Sequence, residues 1–177
     1  MRVIGIAGWS GSGKTTLIER VVPVLIGRGL DVSVIKHAHH GFDLDRPGKD
    51  SYRHREAGAK EVLITSGGRW ALMHELRGAA EPTLAECLAR MCPCDLVLVE
   101  GYKALPIPKL EVWRAANGKP PLFPDDPSII GLATDSVPPL QTQASPPLPK
   151  IVPLDDAGAI ATFVDHNALE FPPSVAR

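Results

Sequence analysis

Eight residues near the start of the chain, Gly8-Trp9-Ser10-Gly11-Ser12-Gly13-Lys14-Thr15, have the types and spacing of a phosphate-binding turn, G-x-x-x-x-G-K-[ST]. Glycines there let the backbone wrap so that successive N–H groups point inward. A helix opening at the lysine adds its partial positive charge. Lys14 is expected to reach the β- and γ-phosphates of a nucleotide as a mobile point charge. Gly8, Gly11, Ser12 and Gly13 form the cradle, the Thr15 hydroxyl coordinates Mg²⁺, and Thr16 touches the α-phosphate. The plainer alternative is a glycine-rich turn with an exposed lysine. The run leaves an apolar strand and opens a helical pattern, as the phosphate chemistry requires.

Bound Mg²⁺ needs a second anchor, normally a carboxylate at the C-terminal end of a neighbouring strand. "DLVLVEG" supplies Glu100 there, whereas Asp95 starts the same run and falls at the opposite edge. Capping a turn or pairing with Lys103 is the alternative for Glu100. The base is addressed by Asp135, just past the apolar run "IIGLAT". A carboxylate accepts both N1–H and N2–H of guanine, and adenine offers no such donor pair. Thr134-Asp135 resembles, in shortened form, the base-reading loop of GTP-binding proteins, while an Asx turn is the bland reading. GTP with Mg²⁺ is therefore the expected ligand.

A second chemical cluster is "VIKHAHHGFDLDRPGKDS", with three histidines, three aspartates and two lysines. It follows a strand and is expected to emerge at the cradle's edge of the sheet, where a polar loop can respond to the γ-phosphate. Asp43 and Asp45 are candidates for approaching Mg²⁺ or orienting water, and Lys36 and Lys49 for neutralising phosphate. Asp45 and Lys49 are preferred because Pro47-Gly48 turns the chain between them. His37, His39 and His40 suggest a transition-metal site, but no partner ligand is spaced to complete it. Hydrogen bonding or a solvated loop is the simpler reading. Cys92-Pro93-Cys94 has the same two faces, metal or redox pair against packed reduced thiols.

These residues need a layered scaffold. "RVIGIA" and "DLVLVEG" are β-branched and apolar on both faces, as strands inside a parallel sheet must be. "KTTLIERVVPVLIGRGL" places apolar residues at helical spacing, with Gly29 as its stop and Pro23 expected to kink it or force a local adjustment. "DVSVIKH", "PKLEVWRA", "SIIGLAT" and "KIVPL" read as strands. "DSYRHREAGA", with Asp50 as cap, "TLAECLARM" and "DDAGAIATFVDH" read as helices. "EVLITS" and "RWALMHEL", separated by Gly67-Gly68, form a hairpin. The fold class is α/β: a P-loop NTPase three-layer fold, a mostly parallel sheet flanked by helices, with a small hairpin excursion. One nucleotide-binding domain is expected over residues 1–167, with 168–177 as a flexible tail.

The bulk numbers agree. The 177 residues carry a net charge of -1 and a pI near 6.6, so no basic face speaks for nucleic acid. No apolar run is long enough to cross a bilayer, and the N-terminal run breaks too early for a signal peptide. Three cysteines, Cys87, Cys92 and Cys94, do not make a disulfide framework, which points to a reducing cytoplasm.

"GWSGSGKTTL", "VIKHAHHGFDLDRPGKDSYRHREAGA", "LVLVEGYK" and "PKLEVWR" occur in the order, and close to the wording, of the molybdopterin-guanine dinucleotide biosynthesis protein B (MobB) family. The resemblance runs from about residue 2 to about residue 165. It implies a GTP-binding homodimer with weak intrinsic hydrolysis. Such a protein assists the nucleotidyltransferase MobA, which joins GMP to molybdopterin. The polar loop would then meet the anionic pterin phosphate, on molybdopterin or its guanine dinucleotide product. Two other classes stay open: a small-molecule kinase using ATP, and a metal-delivery P-loop GTPase carrying nickel on His or Cys.

Overall fold

The computed structural model describes residues 1–38, 41–102, 105–136 and 148–171. His39, His40, Lys103, most of the loop between 135 and 150, and the end of the tail lie outside the described residues. The element order is β1 (Arg2–Ala7), α1 (Lys14–Gly27), β2 (Val32–Lys36), α2 (Asp50–Glu56), β3 (Glu61–Thr65), β4 (Trp70–His74) and α3 (Leu84–Ala89). Then follow β5 (Leu96–Glu100), β6 (Lys109–Trp113), a 3₁₀ turn (Ala115–Asn117), β7 (Ile129–Thr134), β8 (Lys150–Pro153), α4 (Ala157–Asn167) and β9 (Leu169–Glu170). The chain forms two compact units, one from residues 1–39 and 92–172, the other chiefly from residues 40–91.

In the first unit the strand order is β2-β5-β1-β6-β7-β8, every pairing on that path parallel. The short β9 runs antiparallel beside Arg2 and Val3. Strands 5 and 6 are buried at every residue, which explains their unbroken apolar runs. Ile4, Ile6, Leu96, Leu98, Leu110 and Val112 turn one face of the sheet into a shared core with Leu17, Val21 and Leu25 of α1 and Ile160, Phe163 and Val164 of α4. Each such side chain, fully buried, stabilises the fold by about 1.5–3 kcal/mol. On the other face Ala7, Trp113, Phe123, Ile129 and Leu132 form a smaller cluster. The mostly parallel sheet flanked by helices, plus a small antiparallel hairpin, is the class expected from sequence.

Helices α1 and α2 bear on the expectations for Pro23 and Asp50, and the second of these needs correction. Helix α1 runs unbroken from Lys14 to Gly27 with Pro23 inside it. Pro23 is exposed, so the carbonyl of Glu19 that it deprives of a partner lies on the wet side. The helix stops where expected: Gly29 N–H donates to Ile26 O and Leu30 N–H to Leu25 O, a Schellman closure. Asp50 is not the cap of α2 but its first residue; Lys49 holds the cap position, without a side-chain bond. An acid there still faces the positive helix end.

In the second unit β3 and β4 pair antiparallel, Leu63 opposite Leu72. Thr83 and Glu86 close a capping box on α3, each side chain bonding the other's backbone N–H. Arg55 gathers this unit's loops: it donates to Glu75 at 2.8 Å and to both carboxylate oxygens of Asp43 at 2.9 Å.

Candidate nucleotide site

The turn from β1 into α1 has the backbone that inward-facing amides require. Gly8, Gly11 and Gly13 sit at φ of 136°, 78° and 97°. At Gly8 a Cβ would lie 2.5 Å from Val112 O and 2.7 Å from Ser12 Oγ, so no larger residue fits against β6. Gly13 caps α1 with no side-chain bond, and the first turn carries no acid, so neither a cap nor a first-turn carboxylate neutralises the positive helix end. Lys14 Nζ donates to Gly8 O at 3.0 Å and Trp9 O at 2.9 Å, which holds the ammonium at the loop. Ser12 is buried, and its Oγ makes no hydrogen bond with a described residue. A buried hydroxyl of that kind is costly unless a ligand or water engages it. Thr15 and Thr16 are exposed at the helix start.

The segment after β6 braces the loop. Trp9 Nε1 donates to Pro120 O at 2.7 Å, and Asn117 Nδ2 to Ser10 O at 3.3 Å. The segment is anchored by Glu111, fully buried in β6, which accepts from Leu122 N–H at 2.7 Å and Phe123 N–H at 3.0 Å. Burial pushes the Glu111 carboxyl above its ordinary range, and those two amides pull it back only in part. Trp9 is thus bonded to the brace, with Lys119 Nζ 5.9 Å from its ring centroid.

Glu100 ends β5 in register with Ile6 of β1, two residues before Gly8. Its side chain is only 10% exposed, and Lys36 Nζ stands 3.9 Å away. Asp95 lies at the other end of the strand and accepts from Asp31 N–H at 2.8 Å. His37 N–H donates to Glu100 O at 2.8 Å. Gly101, at φ 101°, passes so close that a Cβ would meet His37 O at 2.7 Å. The His37 ring packs 4.8 Å from that of Tyr102, which makes it part of the strand-end packing.

A cavity of about 770 Å³ opens beside the cradle, lined by Ser12, Gly13 and Thr16 from the turn and helix start and by Arg114, Thr134 and Asp135 from the ends of β6 and β7. Leu17, Ile151 and Leu154 add apolar wall. This volume falls in the range of ligand pockets. Ser136 Oγ donates to Asp135 Oδ1 and Arg114 Nε to Oδ2, both at 2.7 Å. Those two bonds hold the Asp135 carboxyl below its ordinary range. A turn in which Thr134 Oγ1 and Ser136 exchange hydrogen bonds fixes the strand end. Arg114 and Ser136, which bond Asp135 on this wall, were not singled out from the sequence. The signal for Arg114 was the alignment of strand ends: Trp113 pairs with Thr134, so residues 114 and 135 emerge side by side.

Asp45 and Lys49 belong to the second unit. There Asp45 Oδ1 accepts from Ser51 Oγ and Arg46 N–H, and Oδ2 lies 3.7 Å from Arg55 Nε. Lys49 N–H donates to Arg46 O, closing the Pro47-Gly48 turn. Among the described residues no group of three or more His, Cys, Asp or Glu is placed to hold a metal ion. All three cysteines are free thiols. Cys94 is partly buried, with Sγ donating to Leu96 O, whereas Cys92 is exposed, so packing accounts for only one of the pair. No helix among the described residues is long and apolar enough to cross a membrane.

Residues 3–135 match a family model described as molybdopterin guanine dinucleotide synthesis protein B. The molybdopterin-guanine dinucleotide biosynthesis adapter protein of Haemophilus influenzae is 44% identical over 137 residues, 75% of this chain and 74% of that one. The protein of the same description from Escherichia coli is 38% identical over 165 residues, 92% of this chain and 90% of that one. A crystal structure of molybdopterin-guanine biosynthesis protein B (mobB) matches at a TM-score of 0.67 and 26% identity, covering 92% of this chain and 97% of that chain.

Proposed function

The chain belongs to the molybdopterin guanine dinucleotide synthesis protein B family, and from that premise we propose that it is a GTP-binding accessory protein of molybdenum-cofactor biosynthesis. It assists a MobA-type nucleotidyltransferase in attaching GMP to molybdopterin, as a cytoplasmic homodimer whose own hydrolysis of GTP is slow. The relatives' description as adapters supports the accessory role. The observation that carries the nucleotide reading is one continuous surface. The cap residue of the helix and a buried hydroxyl line a cavity that also takes in the Asp135 carboxylate, and a lysine is held at the adjoining loop.

Lys14 and the cradle amides hold the phosphates, and Thr16 meets the α-phosphate. Asp135 accepts from the guanine edge. The residues present fit a magnesium ion: the Thr15 hydroxyl opens the helix, and Glu100 is a largely buried carboxylate ending the adjacent strand. When bound, the ion neutralises charge on the β- and γ-phosphate oxygens. Lys36, 3.9 Å from Glu100, balances that carboxylate until then. Asp45 and Lys49 are the second unit's candidates for sensing the nucleotide or holding the pterin phosphate. Titration calorimetry with GTP and Mg²⁺ tests the reading. Lys14→Ala is expected to lower GTP affinity at least about a hundredfold, as loss of a charged phosphate contact does. Unchanged affinity would show that the cradle holds no triphosphate.

A further inference from the structure

The base-reading role of Asp135 leaves the cation beside it unassigned. Arg114 follows β6 and Asp135 follows β7, and the ladder sets them side by side on the cavity wall. Their side chains are 47% and 38% exposed, a range in which an ion pair contributes little to stability. What the pair does offer is a pattern of donors and acceptors. A carboxylate has about four acceptor positions. Arg114 Nε and Ser136 Oγ take one on each oxygen and leave one on each. The bond to Asp135 uses only Nε of Arg114; Nη1 and Nη2 make no hydrogen bond with a described residue. The wall therefore presents guanidinium donors next to two carboxylate acceptors.

Guanine's Watson–Crick edge is the complement: acceptor O6, then donors N1–H and N2–H. Adenine places an amino donor where O6 would be and an acceptor at N1. We propose that Arg114 is a specificity-determining residue that donates from Nη to O6 of a guanine whose N1–H and N2–H are accepted by Asp135. Asp135 alone would reward guanine. With Arg114 beside it the wall also penalises adenine, whose N6 amino group would meet the guanidinium donor to donor. Discrimination thus has an attractive and a repulsive half, as sharp selectivity commonly does. Arginine donating to guanine O6 is a contact of known discriminating strength. Ser136 completes the arrangement by holding the carboxylate plane from its other oxygen.

The inference rests on the assignment of the cavity to GTP, and the test separates the two. The full chain with Mg²⁺ is titrated with GTP, ATP and 6-thio-GTP, whose sulfur is a weak acceptor in place of O6. Wild type is expected to favour GTP over both. In Arg114→Ala, GTP should weaken roughly tenfold or more while ATP does not, and the preference over 6-thio-GTP should vanish. Arg114→Lys keeps the charge without the planar fork and should lose part of each preference; it stands in should the alanine variant fail to fold. Preferences that survive in the variants, or an equal loss of GTP and ATP binding, overturn the role of Arg114 while leaving the GTP assignment intact. Wild type that binds neither nucleotide, or both equally, overturns the GTP assignment and this role together.

Discussion

Gly8 shows how much chemistry can rest on the absence of a side chain. Its Cα faces Val112 O and Ser12 Oγ so closely that even a methyl group has no room, and its φ of 136° is one that L-residues rarely adopt. Gly8→Ala is expected to cost about 2–4 kcal/mol of stability and to abolish nucleotide binding. Thermal denaturation and calorimetry on the same sample would read both effects. The cradle was legible in the sequence because its geometry depends on spacing within eight consecutive residues. Arg114 was not, because its role depends on register between strands separated by a dozen and more residues. Asp135 fell between: its position past a strand could be read, but not the two hydrogen bonds that orient it.

Elements were legible where burial on both faces or a turn signal marked them. Strands β5 and β6 announce themselves as apolar runs, and the hairpin by the paired glycines between β3 and β4. The 3₁₀ turn and β9 carry no periodic signal, being three and two residues long. The Asp50 cap was misplaced by one residue, within the reach of local propensity but below its resolution. The segment joining the 3₁₀ turn to Phe123 has no regular structure, and the buried Glu111 carboxylate anchors its end while Trp9 and Trp113 bond carbonyls before it. Glu111→Ala would strand the amides of Leu122 and Phe123 and is expected to cost about 2–5 kcal/mol. Urea denaturation checks the stability. Trp9 fluorescence, through the loosened bond to Pro120, checks whether the brace has released the cradle.

At the scale of the whole molecule the carboxylates pull in opposite directions. Asp43, Glu61, Glu86, Asp126 and Asp135 all lie below their ordinary values of 3.8 and 4.5, mostly through hydrogen bonds; for Asp126, burial is outweighed by bonds from Lys109 and Ser128. A lowered acid stabilises the fold above its unfolded pKa and loses that contribution as pH falls through the folded one. Glu111, raised by burial, has the reverse sign: it costs stability at neutral pH and recovers it as pH falls through its folded value. Urea midpoints measured across pH are therefore expected to rise slightly from neutral toward the raised Glu111 value. They should then drop steeply below about 4. Glu111→Gln, neutral throughout, should lack the initial rise and keep the acid collapse. The family and the α/β class were open to sequence reading because the motifs stand at strand ends in the right order. Strands β2 and β5 are neighbours in the sheet although the entire 40–91 stretch intervenes, a pairing that no local pattern announces.

Strand order has one further outcome, for the newborn chain. The central strand leaves the ribosome ahead of every other described element, yet its neighbours in the ladder start only at Leu96 and Lys109. Val3, Ile4 and Ile6 must wait with both edges open while the chain up to β6 is translated, a window in which chaperones or sister chains can reach them. The wall behind Gly8 is the carbonyl of Val112, so a chain stalled before β6 carries every residue of the turn and none of its backing.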